Sequence, residues 1–394
     1  MTDLTDNGLR SLPAGGLMCV VGARPNFMKA APVLRALAAA GAPFPVSLVH
    51  TGQHYGPEMQ ETFFQQLGLP EPDIDLEVGS ASHAAQTADI MRRFEQVVDA
   101  VGPDAVMVVG DVNSTLACSL VAAKKGVPVA HVEAGLRSGD PAMPEEINRV
   151  LTDRIAALHL ITEAGARENL LREGIDPAGI HFVGNVMIDS LLHHRGQAVP
   201  AGKTLQTHLA GQAAPPPAGG FGLVTLHRPA NVDRPEILKD LVETLEEVSE
   251  RLPLVFPVHP RTRGALEEVG RPRGRRHPIL FLPPVGYLEM LGLMAGSGMV
   301  LTDSGGLQEE TTALGVPCLT LRESTERPVT LEQGTNSRTG TERARILEVV
   351  DDILATGGRA GRAPELWDGR AAERIREVLL EWPPLGRNRE RRPA

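Results

Sequence analysis

The feature that most constrains this chain is a repeated alternation of short, unbroken apolar runs with segments of helical period. Residues 17–21 (LMCVV) are apolar at every position and too few for a helix, so they read as a strand buried on both faces. A helical period over 26–40 follows. The same pairing recurs as strand 46–50 with a helix near 58–67, and strand 105–109 with helix 114–125. It continues as strand 127–132 with helix 145–157, then strand 158–162 with helix 164–173. A sheet with one wet face would alternate apolar and polar residues. Continuous apolar strands separated by helices require a parallel sheet covered on both sides.

The alternation stops around 199–220, where AAPPPAGGFG (213–222) can hold neither a helix nor a central strand. It restarts with strands expected at 222–226, 254–258, 279–282, 299–302 and 317–321. The expected architecture is α/β, with two Rossmann-like domains whose parallel sheets face a central cleft. The boundaries read as a tail at 1–16, a first domain at 17–198, a Pro/Gly-rich linker at 199–220 and a second domain at 221–368. A C-terminal helix at 369–384 is expected to pack back on the first domain, before a basic tail at 385–394.

Composition narrows the function classes. The chain has 394 residues, 39 Lys and Arg against 49 Asp and Glu, and a net charge of −10. That balance disfavours sequence-independent nucleic-acid binding, though a local basic pocket can still hold a small anion. Cys19, Cys118 and Cys318 lie far apart in apolar surroundings, which suggests neither a metal site nor a disulfide framework. No run approaches the roughly 18–20 apolar residues of a membrane span, and Met1-Thr2-Asp3-Leu4 lacks a basic leader region. A cytoplasmic protein is expected.

In open parallel sheets, ligands bind beyond the carboxyl ends of the strands. Arg24 and Lys29 follow the first strand, at the mouth of a helix. Asp111 follows strand 105–109, where it could bind substrate or simply cap a helix. Glu133 and Arg137 follow strand 127–132, and MPEEINR then opens a helix with Glu145 or Glu146, and Arg149. Acidic residues in a first turn also suit the helix dipole. Three acidic positions at one edge of one sheet nonetheless point to a site. In the second half His227 and His259 follow strands. The segment TDSGGLQEE brings Ser304, Gly305 and Gly306 to a helix N-terminus, with Glu310 one turn on. Paired glycines there let a backbone approach a diphosphate, and the Glu can accept ribose hydroxyls. Neither a Walker A motif nor a strand-linked GxGxxG is present.

GARPNFMK, TGQHY, GDVNSTLA, HVEAGLRSGD, MPEEINR, GNVMID, LHRPANVD, TDSGGLQEE and ESTERPVT occur in this order across about residues 17–340. Together they resemble the non-hydrolysing UDP-N-acetylglucosamine 2-epimerases. The resemblance implies a GT-B fold, interconversion of UDP-GlcNAc and UDP-ManNAc, and no redox cofactor or metal. It implies UDP and UDP-sugar as ligands and a homodimer as the assembly. Asp111, Glu133, Glu145 and His227 then fall on the catalytic positions. Ser304, Gly305, Gly306 and Arg24 fall on the diphosphate site, and Glu310 on the ribose site. Met290 stands where a Phe usually lies beside uracil, and Lys29, Arg137, Arg149 and Arg327 are supporting cations; His259, from its place after a strand, is a further substrate-binding candidate. Two departures stand out: Tyr55-Gly56-Pro57-Glu58 differs from members activated by UDP-GlcNAc, and Ala230 replaces a common Glu. Competing readings are the same chemistry on UDP-2,3-diacetamido-glucuronic acid, a GT-B glycosyltransferase, a hydrolysing epimerase and a nucleotide-sugar sensor without turnover. Hydrogen exchange at C2 separates epimerisation from transfer, which leaves C2 untouched.

Overall fold

The computed structural model describes residues 12–39, 41–52, 68–209 and 220–386, without the Arg24 side chain. They form two compact units. One takes in the described chain up to Ser190 and from Glu365 onward; the other is Leu191–Pro364.

The first unit is built on seven parallel strands: β1 (Leu17–Val21), β2 (Val46–His50), β3 (Ile74–Asp75), β4 (Ala105–Val109), β5 (Val129–Ala134), β6 (Leu158–Ile161) and β7 (Ile180–Phe182). Their order is β3-β2-β1-β4-β5-β6-β7. Leu17 lies beside Val46 on one side and Ala105 on the other, so β1 is central. Both β1 and β4 are buried at every residue, as continuous apolar runs demand. The second unit repeats the plan with six strands: β8 (Gly222–Thr225), β9 (Leu254–Pro257), β10 (Ile279–Leu282), β11 (Met299–Thr302), β12 (Cys318–Thr320) and β13 (Asn336–Arg338). Their order is β10-β9-β8-β11-β12-β13. In each sheet the winding reverses beside the first strand, so the switch points are β1/β4 and β8/β11. These are the places where a doubly wound sheet binds ligands.

Several elements depart from the sequence reading. The edge strands β3, β7 and β13 have only two or three residues, too few for a visible pattern. A helix over His83–Val101, capped by Ser82 and closed by Gly102 at φ 58°, was not anticipated. Where a linker is expected over 199–220, Ala201–His208 is a helix packed on the Tyr287–Ala295 helix, and the second unit begins at Leu191. Only Thr204 and Leu205 of that helix are fully buried, a stripe too short to register beside a Pro-rich run. The helix expected near 58–67, Tyr55-Gly56-Pro57-Glu58, most of the Pro-rich run and the terminal tails lie outside the described residues.

The C-terminal helix Ala371–Glu381 packs on the Arg24–Ala39 helix of the first unit. Asp189, the end of GNVMID, accepts the backbone N–H groups of Ala371 at 3.1 Å and Ala372 at 2.7 Å. Trp367 donates its indole N–H to the Thr162 carbonyl at 3.1 Å. Gly184, at φ +90°, has the Leu366 carbonyl oxygen 2.2 Å from where a Cβ would sit, so only glycine admits the returning chain. The three cysteines are free and buried; burial pushes the Cys19 and Cys318 thiols up to about 12. Among the described residues, no helix is long and apolar enough to cross a membrane.

Candidate active site

At the β1/β4 switch point, Asn26 ties two turns together. Its Oδ1 accepts the N–H groups of Gly22 (3.1 Å) and Ala23 (3.0 Å), while its Nδ2 donates to the Val109 carbonyl at 2.8 Å. Lys29, one turn on, is buried against Glu133 in an ion pair. Glu133 sits at a bulge in β5 with φ 74°, a left-handed backbone uncommon for a residue with a side chain. Such strain persists only where surrounding contacts enforce it, and it clusters at functional sites.

Asp111 begins the loop after β4 and pairs with the buried Arg149 guanidinium at 2.5 Å. Asn148 donates to the Asp111 carbonyl at 2.9 Å. Arg149 also holds Glu146 at 2.9 Å. Glu146 in turn accepts the Ser138 N–H (2.8 Å), the Ser138 hydroxyl (3.0 Å) and the Gly139 N–H (3.0 Å). Glu146 is therefore committed to folding the loop after β5. Glu145, half-buried, precedes it in the first turn of the Pro144–Ile155 helix. Arg137 is committed elsewhere: it pairs with Asp153 at 2.8 Å and with both oxygens of Glu173 at 2.8 and 2.7 Å. Burial works against its charge, but Glu173 and Asp153 raise its pKa above the usual value.

At the β8/β11 switch point the central group is Asp303, which is fully buried. It accepts His227 Nδ1 at 2.9 Å, the His227 N–H at 3.0 Å and the Arg228 N–H at 2.9 Å. Burial opposes its charge, yet the His227 side chain and these backbone donors hold the carboxyl below the usual carboxylate range. A carboxylate on Nδ1 fixes the His227 tautomer and leaves Nε2 as the accepting nitrogen of a ring that is 33% exposed. The His259 ring lies 5.5 Å from it, and its Nδ1 accepts the Arg261 N–H at 3.2 Å to start the next helix.

Ser304 stands at the start of the Gly305–Leu314 helix, with Gly305 and Gly306 in its first turn. A Cβ on Gly305 would meet the Glu326 carboxylate at 2.5 Å, so glycine is required by that approach. Glu310, one turn further, accepts the Tyr287 hydroxyl at 3.1 Å; Met290, half-buried, lies three residues after Tyr287 on the same helix face. Arg327 is buried in a 2.7 Å pair with Glu309.

Within the first unit, then, Lys29 and Glu133 meet each other and Asp111 meets Arg149, while Arg137 is held apart from these pairs by Asp153 and Glu173. Within the second, His227 neighbours His259, while Arg327 is taken up by Glu309. The Arg24 side chain lies outside what is described. Sequence reasoning did not single out Asn26, His131, Asp153, Tyr287 or Asp303. Asp303 had a signal, since an Asp between a buried strand and Ser-Gly-Gly is costly unless it receives donors.

Two doubly wound parallel sheets, each carrying polar groups at its switch point, place the chain in the GT-B-like α/β class. A family profile described as UDP-N-acetylglucosamine 2-epimerase matches residues 36–380. The UDP-N-acetylglucosamine 2-epimerase of Methanococcus maripaludis is 41% identical over 341 residues, which is 85% of this chain and 90% of that one. A UDP-2,3-diacetamido-2,3-dideoxy-D-glucuronate 2-epimerase of Pseudomonas aeruginosa is 40% identical over 377 residues, 93% of this chain and 99% of that one. The crystal structure of Methanocaldococcus jannaschii UDP-GlcNAc 2-epimerase in complex with UDP-GlcNAc and UDP is 38% identical with a TM-score of 0.82, covering 92% of this chain and 99% of that one. The chain belongs to the UDP-N-acetylglucosamine 2-epimerase family, a family of isomerases.

Proposed function

We propose that this protein interconverts UDP-GlcNAc and UDP-ManNAc by eliminating UDP and adding it back. The C2 hydrogen of the resting sugar is not acidic, since no carbonyl adjoins it. Lengthening of the bond between C1 and the diphosphate oxygen places positive charge at C1, and C2–H then acidifies. Cationic side chains and helix N–H groups at the diphosphate stabilise the departing UDP. A carboxylate or imidazole takes the C2 proton, the electron pair forms the C1–C2 double bond, and 2-acetamidoglucal and UDP result. Protonation of C2 from the opposite face and return of UDP to C1 give the epimer.

In this reading the second unit supplies most of the nucleotide contacts, Ser304, Gly305 and Gly306 at the diphosphate, Glu310 at the ribose and Met290 beside the uracil, and Arg24 of the first unit joins them at the diphosphate. Asp111, Glu133, Glu145 and His227 carry the proton transfers. The observation that supports it most is the pairing of Glu133 with Lys29 at a left-handed bulge, beside the β4 turn that carries Asp111. Two carboxylates on adjacent strand ends, each fixed by a buried cation, suit removal and delivery of a proton at one carbon. The Pseudomonas aeruginosa relative favours a second substrate, UDP-2,3-diacetamido-2,3-dideoxy-D-glucuronate, handled by the same chemistry. A homodimer in the cytoplasm is the expected state, and sedimentation of the purified protein tests the assembly.

Proton NMR of the protein with UDP-GlcNAc in deuterium oxide tests the function. UDP-ManNAc bearing deuterium at C2 is the expected product. Exchange only with the diacetamido-glucuronate selects the second substrate, and no exchange with either contradicts the epimerase reading.

A further inference from the structure

We propose that His131 and Asp153 form a positioning pair for the first unit's two proton-transfer carboxylates, with His131 held as an imidazolium between the Asp111 turn and Asp153. The proposal rests on the assignment of proton transfer to Asp111 and Glu133. His131 lies on β5 and is fully buried. Its Nδ1 is 2.7 Å from Asp153 Oδ1, and its Nε2 is 2.8 Å from the Gly110 carbonyl oxygen. A carbonyl oxygen only accepts, and so does an ionised carboxylate. Both ring nitrogens therefore donate, and the ring carries both protons. A neutral ring would set a lone pair against one of the two oxygens in a site closed to water.

The surrounding charges balance this assignment. Asp153 faces His131 through Oδ1; through Oδ2 it holds Arg137 at 2.8 Å and accepts the Gly135 N–H at 3.0 Å. Arg137 is matched by Glu173. His159, the register partner of His131 on β6, gives its Nε2 to the Asp153 carbonyl at 2.7 Å. Burial, with the charge of His131, pushes the His159 pKa down. Burial opposes the charge of Asp153, but His131 and Arg137 hold its carboxyl below the usual range.

One pair thus clamps two turns. Gly110 directly precedes Asp111, and Gly135 lies two residues past Glu133. Neither His131 nor Asp153 is placed to touch a substrate in the reading above, so both act through the carboxylates they position. Misplacing a reacting group by about 1 Å costs on the order of 100-fold in rate. His131→Gln and Asp153→Asn should therefore each lower kcat about 100-fold, with KM and UDP affinity changed by less than about threefold.

The experiment pairs those kinetics with a nitrogen–proton spectrum of the histidine rings in wild-type protein. The expected spectrum contains, at neutral pH, one exchange-protected ring with both nitrogens protonated. His131→Gln should remove it. Absence of any such ring overturns the imidazolium, even if neither variant folds. Variants with normal kcat and only a lower Tm overturn the positioning role. If wild-type protein exchanges C2 hydrogen on neither UDP-sugar, the functional reading fails, and the ring spectrum still decides the His131–Asp153 pair.

Discussion

The two switch points use carboxylates in opposite ways. In the first unit the carboxylates proposed to move protons, Glu133 and Asp111, are held by the buried cations Lys29 and Arg149. In the second unit Asp303 is buried as the support beneath the partly exposed His227, the imidazole proposed to move protons. A carboxylate acting as a base needs its own charge fixed by a cation. A histidine base needs a carboxylate to set its tautomer. Under the proposed function the same doubly wound plan therefore presents acid/base groups of two kinds, carboxylates held by buried cations and an imidazole held by a buried carboxylate.

That contrast can be broken by replacing the supports. The largest effect is expected for Asp303→Asn. It keeps the shape but can favour the wrong imidazole tautomer, so kcat should fall about 10³- to 10⁴-fold, measured by coupled assay. A loss under tenfold would mean that His227 works without its carboxylate. Lys29→Met leaves Glu133 buried without its cation and should cost about 3–5 kcal/mol of stability in denaturant unfolding. If unfolding is unchanged, the pair carries no stabilising charge interaction. Tyr287→Phe removes one donor from Glu310 and should raise KM about tenfold with kcat nearly constant. A pure kcat effect would detach Glu310 from the ribose.

The smallest effect is on acid stability. Asp303 and Asp153 have folded-state pKa values below the ordinary one, so their stabilisation is present above about pH 4. It disappears as pH falls through the lowered folded values. Wild-type stability should accordingly drop more steeply below about pH 4 than that of Asp303→Asn, in urea titrations across that range.

The sheets were legible because central strands such as β1 and β4 are apolar at every position, and the candidate site because strand ends limit where chemistry can be looked for. What escaped was written in the wrong alphabet for a hydrophobic reading. The Pro144–Ile155 helix buries Asn148, Arg149, Thr152 and Asp153, while Ile147 is 49% and Leu151 46% exposed. An apolar-stripe argument assigns that helix its inner face backwards and passes over Asp153. His131 hides inside a strand, where only the distances to Asp153 and the Gly110 carbonyl separate it from a packed core residue. Arg137 and Arg327 were read as substrate cations from their place in motifs. Charge type did not reveal that Asp153, Glu173 and Glu309 already hold them.

The division between nucleotide binding and proton transfer is tested most directly in Glu133→Gln, by C2 hydrogen exchange from UDP-GlcNAc into deuterium oxide with UDP affinity measured on the same sample. The expected result is exchange slowed at least about 100-fold while UDP binds as in wild type. Undiminished exchange at normal UDP affinity would contradict the account, because the group fixed at the bulge of β5 would then have no part in moving the proton.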